Sequence, residues 1–277
     1  MSLNSGRHAD RYADYHDLKV EVENKVATVT LHRPEARNAI NQRLIRELRR
    51  IWDDIGDDPA VNVVLLTGTS DWFSVGGDVK AMSDRPGGDV LEEGEVHDPM
   101  ISRRIVTRQL DLDKPIVCAI NGDCIGLAAT HALLCDITVM SEDARIGDSH
   151  VNKVGLVAGD GGTVIWPLLV GVNKAKEFLM RGTLLKGREA ERIGLVNHCV
   201  PKAEVMPLAR QIAQELADGP VWAIRWTKLS VNQIVKDRVN RLLEASMALE
   251  QVTFQLADHR EATKAFKEKR KPKFGQG

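Results

Sequence analysis

The stretch AINGDCIGLAATHALLCDI, residues 119–137, holds a strand, a glycine turn, a helix and the start of a second strand in one run. PIVCAIN (115–121) is a short continuous apolar segment, as expected of a strand covered on both faces. NGDCIG then turns the chain into a helix over about 126–134, and DITVM (136–140) returns as a strand. The same module stands upstream. VNVVLLT (61–67) is a second buried-strand run, followed by the glycine-bearing turn TSDWFSVGGD, and a helix at 100–111 leads into the quoted stretch. Strand, glycine turn and helix in succession indicate an α/β fold built from βα modules.

Outward from there, KVEVENKVATVTL (19–31) alternates around Asn24-Lys25 as a two-strand hairpin does. After the loop HRPEARNAI, Ile40, Leu44, Leu48, Ile51, Trp52 and Ile55 recur at helical spacing, which predicts an amphipathic helix over 40–55. SDRPGGDVLEEGEVHDP (83–99) reads as a mobile acidic loop. Beyond residue 202 the pattern is helical, at 203–218, 220–235 and 238–257, with Gly219-Pro220 between the first two and a basic helix or tail at 260–271. The first 17 residues are polar and are expected to be poorly ordered. The expected organisation is one α/β core, 18–202, with an appended helical region, 203–277, rather than two independent domains.

A chain of 277 residues buries about three-quarters of its unfolded surface and folds without disulfides or metal. Lys+Arg number 38 and Asp+Glu 39, a net charge of -1, which argues against nucleic acid or an anionic membrane as partner of the whole surface. Cys118, Cys124, Cys135 and Cys199 form no CxxC pair and have no zinc-ligand spacing. They read as free thiols in a reducing compartment, and no metal is expected. The N-terminus lacks a signal-peptide apolar core, and no apolar run approaches the roughly 18 residues of a membrane span. A cytoplasmic enzyme or binding protein is expected.

Chemistry can reside in the two glycine turns, FSVGGD (73–78) and NGDCIGL (121–127). At the end of a buried strand such a turn exposes backbone N–H groups, and the second has a helix N-terminus behind it. Two N–H groups aimed at one carbonyl oxygen make an oxyanion hole. Equally, both can be ordinary βα turns that need glycine for positive φ. Neither is a phosphate-binding fingerprint.

FSVGGDVKAM (73–82) and AINGDCIGLAATHALLCDI (119–137) resemble the two signature blocks of the crotonase, or enoyl-CoA hydratase/isomerase, superfamily. RPEARNAI (33–40), VGLVAGDGGTVIWPLLVG (154–171), EAERIGLVNHCV (189–200) and AFKEKRKPKF (265–274) resemble further blocks in the same order. The resemblance implies a spiral of ββα units, a C-terminal helical region that packs a homotrimer or hexamer, and an acyl-CoA thioester substrate without a permanently bound cofactor. It also implies oxyanion donors at the backbone N–H groups of Gly77 and Leu127, the latter usually glycine in the family. CoA contacts are implied at Ala36, Arg37 and Asn38, at Asp78 and Val79 by the adenine, and at Lys269 by the phosphates. The six Lys/Arg of 264–273 are either a solvated face or, less in keeping with the overall charge, a nucleic-acid contact.

The family's hydratases use two glutamates as base and acid, and the matching positions here are Thr130 and His150. Thr130 lies three residues beyond Leu127 on one helix, so it faces the same pocket, but a hydroxyl is no base at neutral pH. It either holds a water or bonds the carbonyl one turn back. His150 can act as a base near working pH. Asp160, in the loop GDGG, can fix its tautomer as the acid of a triad does. His131 is expected to be a hydrogen-bonded packing residue, and Asp148 and Asp123 turn or cap residues.

Two functions follow. The first is an enoyl-CoA hydratase-like enzyme that stabilises a thioester enolate in an oxyanion hole, with isomerisation or hydrolysis as alternatives given the missing glutamates. The second is a non-catalytic acyl-CoA or RNA binder on the same scaffold. Specificity is expected to lie in the loop 83–99, which would cover the acyl group.

Overall fold

The computed structural model describes residues 11–80 and 101–275. The chain runs β1 (Leu18–Glu23), β2 (Val26–Leu31), α1 (Gln42–Gly56), β3 (Val63–Gly68), β4 (Trp72–Ser74), α2 (Ile101–Asp111), β5 (Ile116–Ile120), β6 (Asp123–Ile125), α3 (Leu127–Leu133), β7 (Ile137–Ser141) and β8 (Arg145–Gly147). A π-helical turn, His150–Val154, follows, then α4 (Gly162–Val170), α5 (Val172–Arg181), β9 (Leu184–Lys186), α6 (Gly187–Arg192), β10 (His198–Val200), α7 (Lys202–Asp218), α8 (Val221–Phe254) and α9 (Ala257–Lys267).

Each ββα unit gives its first strand to a large sheet and its second to a small one. The large sheet has the order β1-β2-β3-β5-β7-β10 and the small sheet β4-β6-β8-β9. β1 and β2 pair antiparallel, as the hairpin pattern predicts, with Val22 opposite Ala27. From β2 onward the large sheet is parallel. Every residue of β3 and β5 is buried, which is why their sequences run apolar without alternation. On one face α7 places Val205, Ala209, Ala213 and Ala217 against Val63, Leu65, Val117, Ala119 and Val139. On the other, α1 and the interior faces of α2, α3 and α4 close a larger core around Trp52, Phe73 and Trp166. α7 therefore covers a face of the sheet itself, although it lies beyond residue 202.

Four sequence readings change. The glycine turns TSDWFSVGGD and NGDCIG hold β4 and β6 of the small sheet, because strands of three residues are too short to show a period and exist only through their neighbours. The helices expected at 220–235 and 238–257 are one helix, α8, of 34 residues. Lys236, Asp237 and Arg238 between them break nothing, and Arg241 pairs with Asp237 one turn away. The predicted start of α1 moves from Ile40 to Gln42. Ile40 bridges to Gly77 instead, and Asn41 caps the helix by accepting from the Leu44 N–H at 2.9 Å.

Residues 11–17, expected to be poorly ordered, are tied to α1. Tyr12 donates to Asp58 at 3.0 Å and Tyr15 to Asp54 at 2.6 Å. The Glu47 carboxylate accepts the N–H groups of His16, Asp17 and Leu18, each at 2.9 Å. The reading of loop 83–99 falls outside the described residues.

One buried side chain organises the first glycine turn. Asn38 donates to the carbonyls of Thr69, Trp72 and Phe73 at 3.0–3.1 Å and accepts from the Arg33 N–H at 2.9 Å. Asn38→Ala leaves these buried groups without that partner, and a cost of about 2–3 kcal/mol is expected. Thermal unfolding checks this, and a midpoint within one degree or so of wild type would contradict it.

Candidate active site

The small sheet sets the site. β4, β6 and β8 are parallel neighbours, so their C-terminal ends emerge at one edge. β4 leads into Val75-Gly76-Gly77, β6 into Gly126-Leu127, and β8 into Asp148-Ser149-His150. Three segments distant in sequence thus lie side by side, and the Gly126 N–H bonds the Gly147 carbonyl at 2.9 Å.

Both expected oxyanion donors follow a glycine with positive φ, Gly76 at 85° and Gly126 at 61°. A Cβ on Gly76 would fall 2.5 Å from the Ile125 carbonyl oxygen, so only glycine lets the two turns pack this closely. Ile40 donates to Gly76 O at 2.8 Å and accepts from the Asp78 N–H at 3.0 Å. The intervening Gly77 N–H therefore points to the opposite edge of this bridge. Leu127 opens α3, and the first N–H groups of a helix have no acceptor within it.

His150 lies against the second turn. Its Cε1 is 3.4 Å from where a Gly126 Cβ would stand. Asp148 Oδ1 accepts from the His150 backbone N–H at 3.0 Å and meets His150 Nδ1 at 2.7 Å. Asp148 thus takes the turn role expected of it and also the orienting place that the sequence assigned to Asp160. Asp160 faces the other ring nitrogen, with Oδ2 3.4 Å from Nε2. A third carboxyl arrives from α8, with Glu250 Oε1 4.0 Å from the same nitrogen. The sequence reading passed over Glu250. Its signal was a carboxylate on the buried stripe of α8, beside Val239, Leu243, Ser246 and Met247.

These groups are buried together, and each shifts the others. Burial opposes charge on His150, but Asp148 and Asp160 outweigh it and raise its pKa well above the usual imidazole range. At neutral pH the ring is an imidazolium. Burial likewise opposes charge on Asp148, and the adjacent imidazolium overcomes it, leaving its pKa below the ordinary value. Burial pushes Asp160 up to about 6, with His150 pulling back. Glu250 is pushed up to about 8, by burial first and then by Asp160. The cluster therefore holds groups that give and take protons on either side of neutrality, as acid–base catalysis needs.

Thr130 is fully buried, and a Cβ on Gly161 would lie 2.7 Å from its Cγ2, which places it beside the Asp160 loop. Its hydroxyl makes no back-bond to the preceding turn and lies toward the Asp160 carboxyl, whose ionised form it favours. His131 is the packing histidine expected, with Nδ1 2.7 Å from Gln109 Oε1 and a pKa lowered by burial to about 4. Asp123 is structural and binds Arg145 across β6 and β8 at 2.5 Å.

Of the residues expected at CoA, Asn38 commits its side chain to the first turn, as described above. Ala36 is half-buried, and exposed Arg37 stacks over Trp72, 4.8 Å from the ring centroid. Asp78 lies 3.3 Å from Arg33, next to half-buried Val79. Lys269 is exposed beyond the end of α9, and Arg270 next to it is held by Glu261 and Glu268. Asp148, His150 and Asp160 also place ligand-type atoms within 4.8 Å of one another.

Known proteins agree with this architecture. The family profile described as enoyl-CoA hydratase/isomerase matches residues 21–277. A crotonyl-CoA hydratase from Syntrophomonas wolfei is 30% identical over 261 residues, 94% of this chain and 98% of that protein. A short-chain-enoyl-CoA hydratase from Clostridium acetobutylicum is 31% identical over 93% of this chain and 97% of its own. A crystal structure of an enoyl-CoA hydratase/isomerase from Pseudoalteromonas atlantica superposes with a TM-score of 0.83 at 28% identity, covering 94% of this chain and all of that one. One from Mycobacterium paratuberculosis gives 0.81 at 31% identity, covering 90% and 97%. With a spiral of ββα units, paired glycine turns and a profile match over almost its whole length, the chain belongs to the enoyl-CoA hydratase/isomerase family, the crotonase superfamily.

Proposed function

We propose that this chain is an acyl-CoA-processing enzyme that adds water to a 2-enoyl-CoA thioester. The observation that carries the reading is the packing of the two glycine turns, Gly76 against Ile125 and Gly126 against His150, with the carboxyl of Asp160 facing the same ring; the N–H groups of Gly77 and Leu127 are assigned as the oxyanion donors. The thioester oxygen sits between the two N–H groups, where charge develops as the enolate forms. Asp160, ionised above about 6, takes a proton from water held beside Thr130. The water oxygen bonds to the β-carbon and the C=C π bond opens. The His150 imidazolium then protonates the α-carbon and regains its proton from Asp160 across the 3.4 Å gap. No permanent cofactor enters these steps, because coenzyme A arrives as part of the substrate. Ala36, Arg37, Asn38, Asp78, Val79 and Lys269 are assigned to its binding, Asn38 through its backbone.

The cluster also suits a proton transfer between two carbons without water, since acid and base surround one ring. Product mass separates the readings: a gain of one water for hydration, unchanged mass for isomerisation, two fragments for hydrolysis. His150→Ala is expected to lower turnover of an enoyl-CoA panel by about 10²–10⁴-fold while ester binding survives. Unchanged turnover removes His150 from the mechanism. Tight ester binding with no conversion by wild type selects the non-catalytic reading.

The rate is expected to rise as Asp160 loses its proton through about 6 and to fall at alkaline pH as His150 loses its own. In Asp148→Asn the imidazolium loses the nearest charge that holds its proton. The alkaline limb of kcat/KM then moves to lower pH, and an unmoved limb contradicts the assignment.

Exposed Trp222, Trp226, Val231, Ile234, Leu249 and Val252 along α8, each at least 57% accessible, support self-association into a trimer or hexamer. Light scattering on the eluting protein is expected to give three or six chain masses, and a monomer overturns this. Among the described residues no helix is long and apolar enough to cross a membrane. Four buried, unpaired cysteines suit the reducing cytoplasm.

A further inference from the structure

Glu250 is the one acidic group of this cluster that comes from the C-terminal helix, and water addition at His150 and Asp160 gives it no step. Its placement is built. The loop carrying Asp160 lies so close to α8 that a Cβ on Gly159 would fall 2.6 Å from Glu250 Cβ and 2.8 Å from its Oε2. Thr163, just past that loop, meets Ser246, one turn before Glu250, through a 2.6 Å hydroxyl contact. Thr253, one turn after, donates to the Glu250 carbonyl at 2.7 Å and accepts from the Val157 N–H at 3.2 Å. The helix turns on both sides of Glu250 are thus held, and the residue is 8% exposed, with its Oε1 4.0 Å from His150 Nε2. Among the described residues no Lys or Arg pairs with it. The titratable groups around it are Asp160 of the glycine loop, His150 of the π-turn and Asp148 behind the ring.

A buried carboxyl whose cationic neighbour among the described residues is a ring already bracketed by two aspartates cannot ionise without placing a third negative charge there. We propose that Glu250 is a positioning residue that acts as the proton store of the site: it stays neutral at working pH and keeps one exchangeable proton beside the His150–Asp160 pair. When the proton taken from water passes back from Asp160 to His150, Glu250 relays it: it gives its own proton to Nε2, 4.0 Å away, and takes the one on Asp160, so the store is restored each cycle. The role rests on the water-addition reading, but the protonation state does not. Burial accords with it by pushing Glu250 up to about 8.

Two readouts test this on the full-length protein. Infrared difference spectra of wild type against Glu250→Gln at neutral pH are expected to show the carbonyl stretch of a neutral carboxylic acid in wild type only. A carboxylate signature for Glu250 in its place overturns the proposal, whether or not any ester is turned over. In kinetics, Glu250→Gln keeps shape and hydrogen bonding but cannot exchange a proton. Its kcat is expected to fall by about 10–100-fold with KM within about threefold, and the titration near 8 is expected to vanish from the pH profile. A kcat and profile equal to wild type overturn the role. If no ester is a substrate for wild type, the water-addition reading fails, and the infrared result alone decides the protonation state. Circular dichroism and thermal melting confirm that the variant folds, and Glu250→Asp, which can still exchange a proton, should recover part of the rate.

Discussion

The shared direction of three short strands is what the site depends on. Trp72–Ser74, Asp123–Ile125 and Arg145–Gly147 pair in parallel, so three loops leave from one edge. Had any strand run the other way, its loop would emerge at the far edge of the sheet. The pairing is held less by the strands themselves than by what surrounds them. Asn38 gathers the carbonyls that follow β3 and end β4, Asp123 clamps Arg145, and the Ile125 carbonyl leaves no room for a side chain on Gly76.

The buried charges obey a second constraint. Taking one imidazole and three carboxyls out of water is costly unless they neutralise one another. The outcome is division of labour by environment. Asp148, bonded to both the backbone and the ring of His150, stays ionised and holds the ring charged. Asp160 and Glu250 are pushed toward their neutral forms by burial, which the pull of His150 does not cancel. Chemically identical groups thereby acquire different protonation states within a few ångströms.

Much of this was legible in the primary structure. VNVVLLT and PIVCAIN announced fully buried parallel strands because each is covered on both faces and cannot alternate. The glycines before Gly77 and Leu127 announced turns because positive φ excludes most side chains. His150 and Asp160 stood out as replacements for expected glutamates. The small sheet was not legible, since a three-residue strand has no period to read. The anchoring of residues 11–17 was hidden as well, because it depends on Glu47, thirty residues away, accepting three backbone N–H groups.

The amino-acid sequence by itself determined the family and the repeating units, because hydrophobic period, glycine placement and motif order are local properties of the chain. Only the tertiary structure decided which carboxyl serves which nitrogen of His150. Asp148 is two residues from the ring and Asp160 ten, yet Asp148 takes Nδ1 and Asp160 faces Nε2. Glu250 joins them from a helix a hundred residues on. Such roles follow from distance and burial in three dimensions, which set the charge each group can hold, and spacing along the chain carries no record of them.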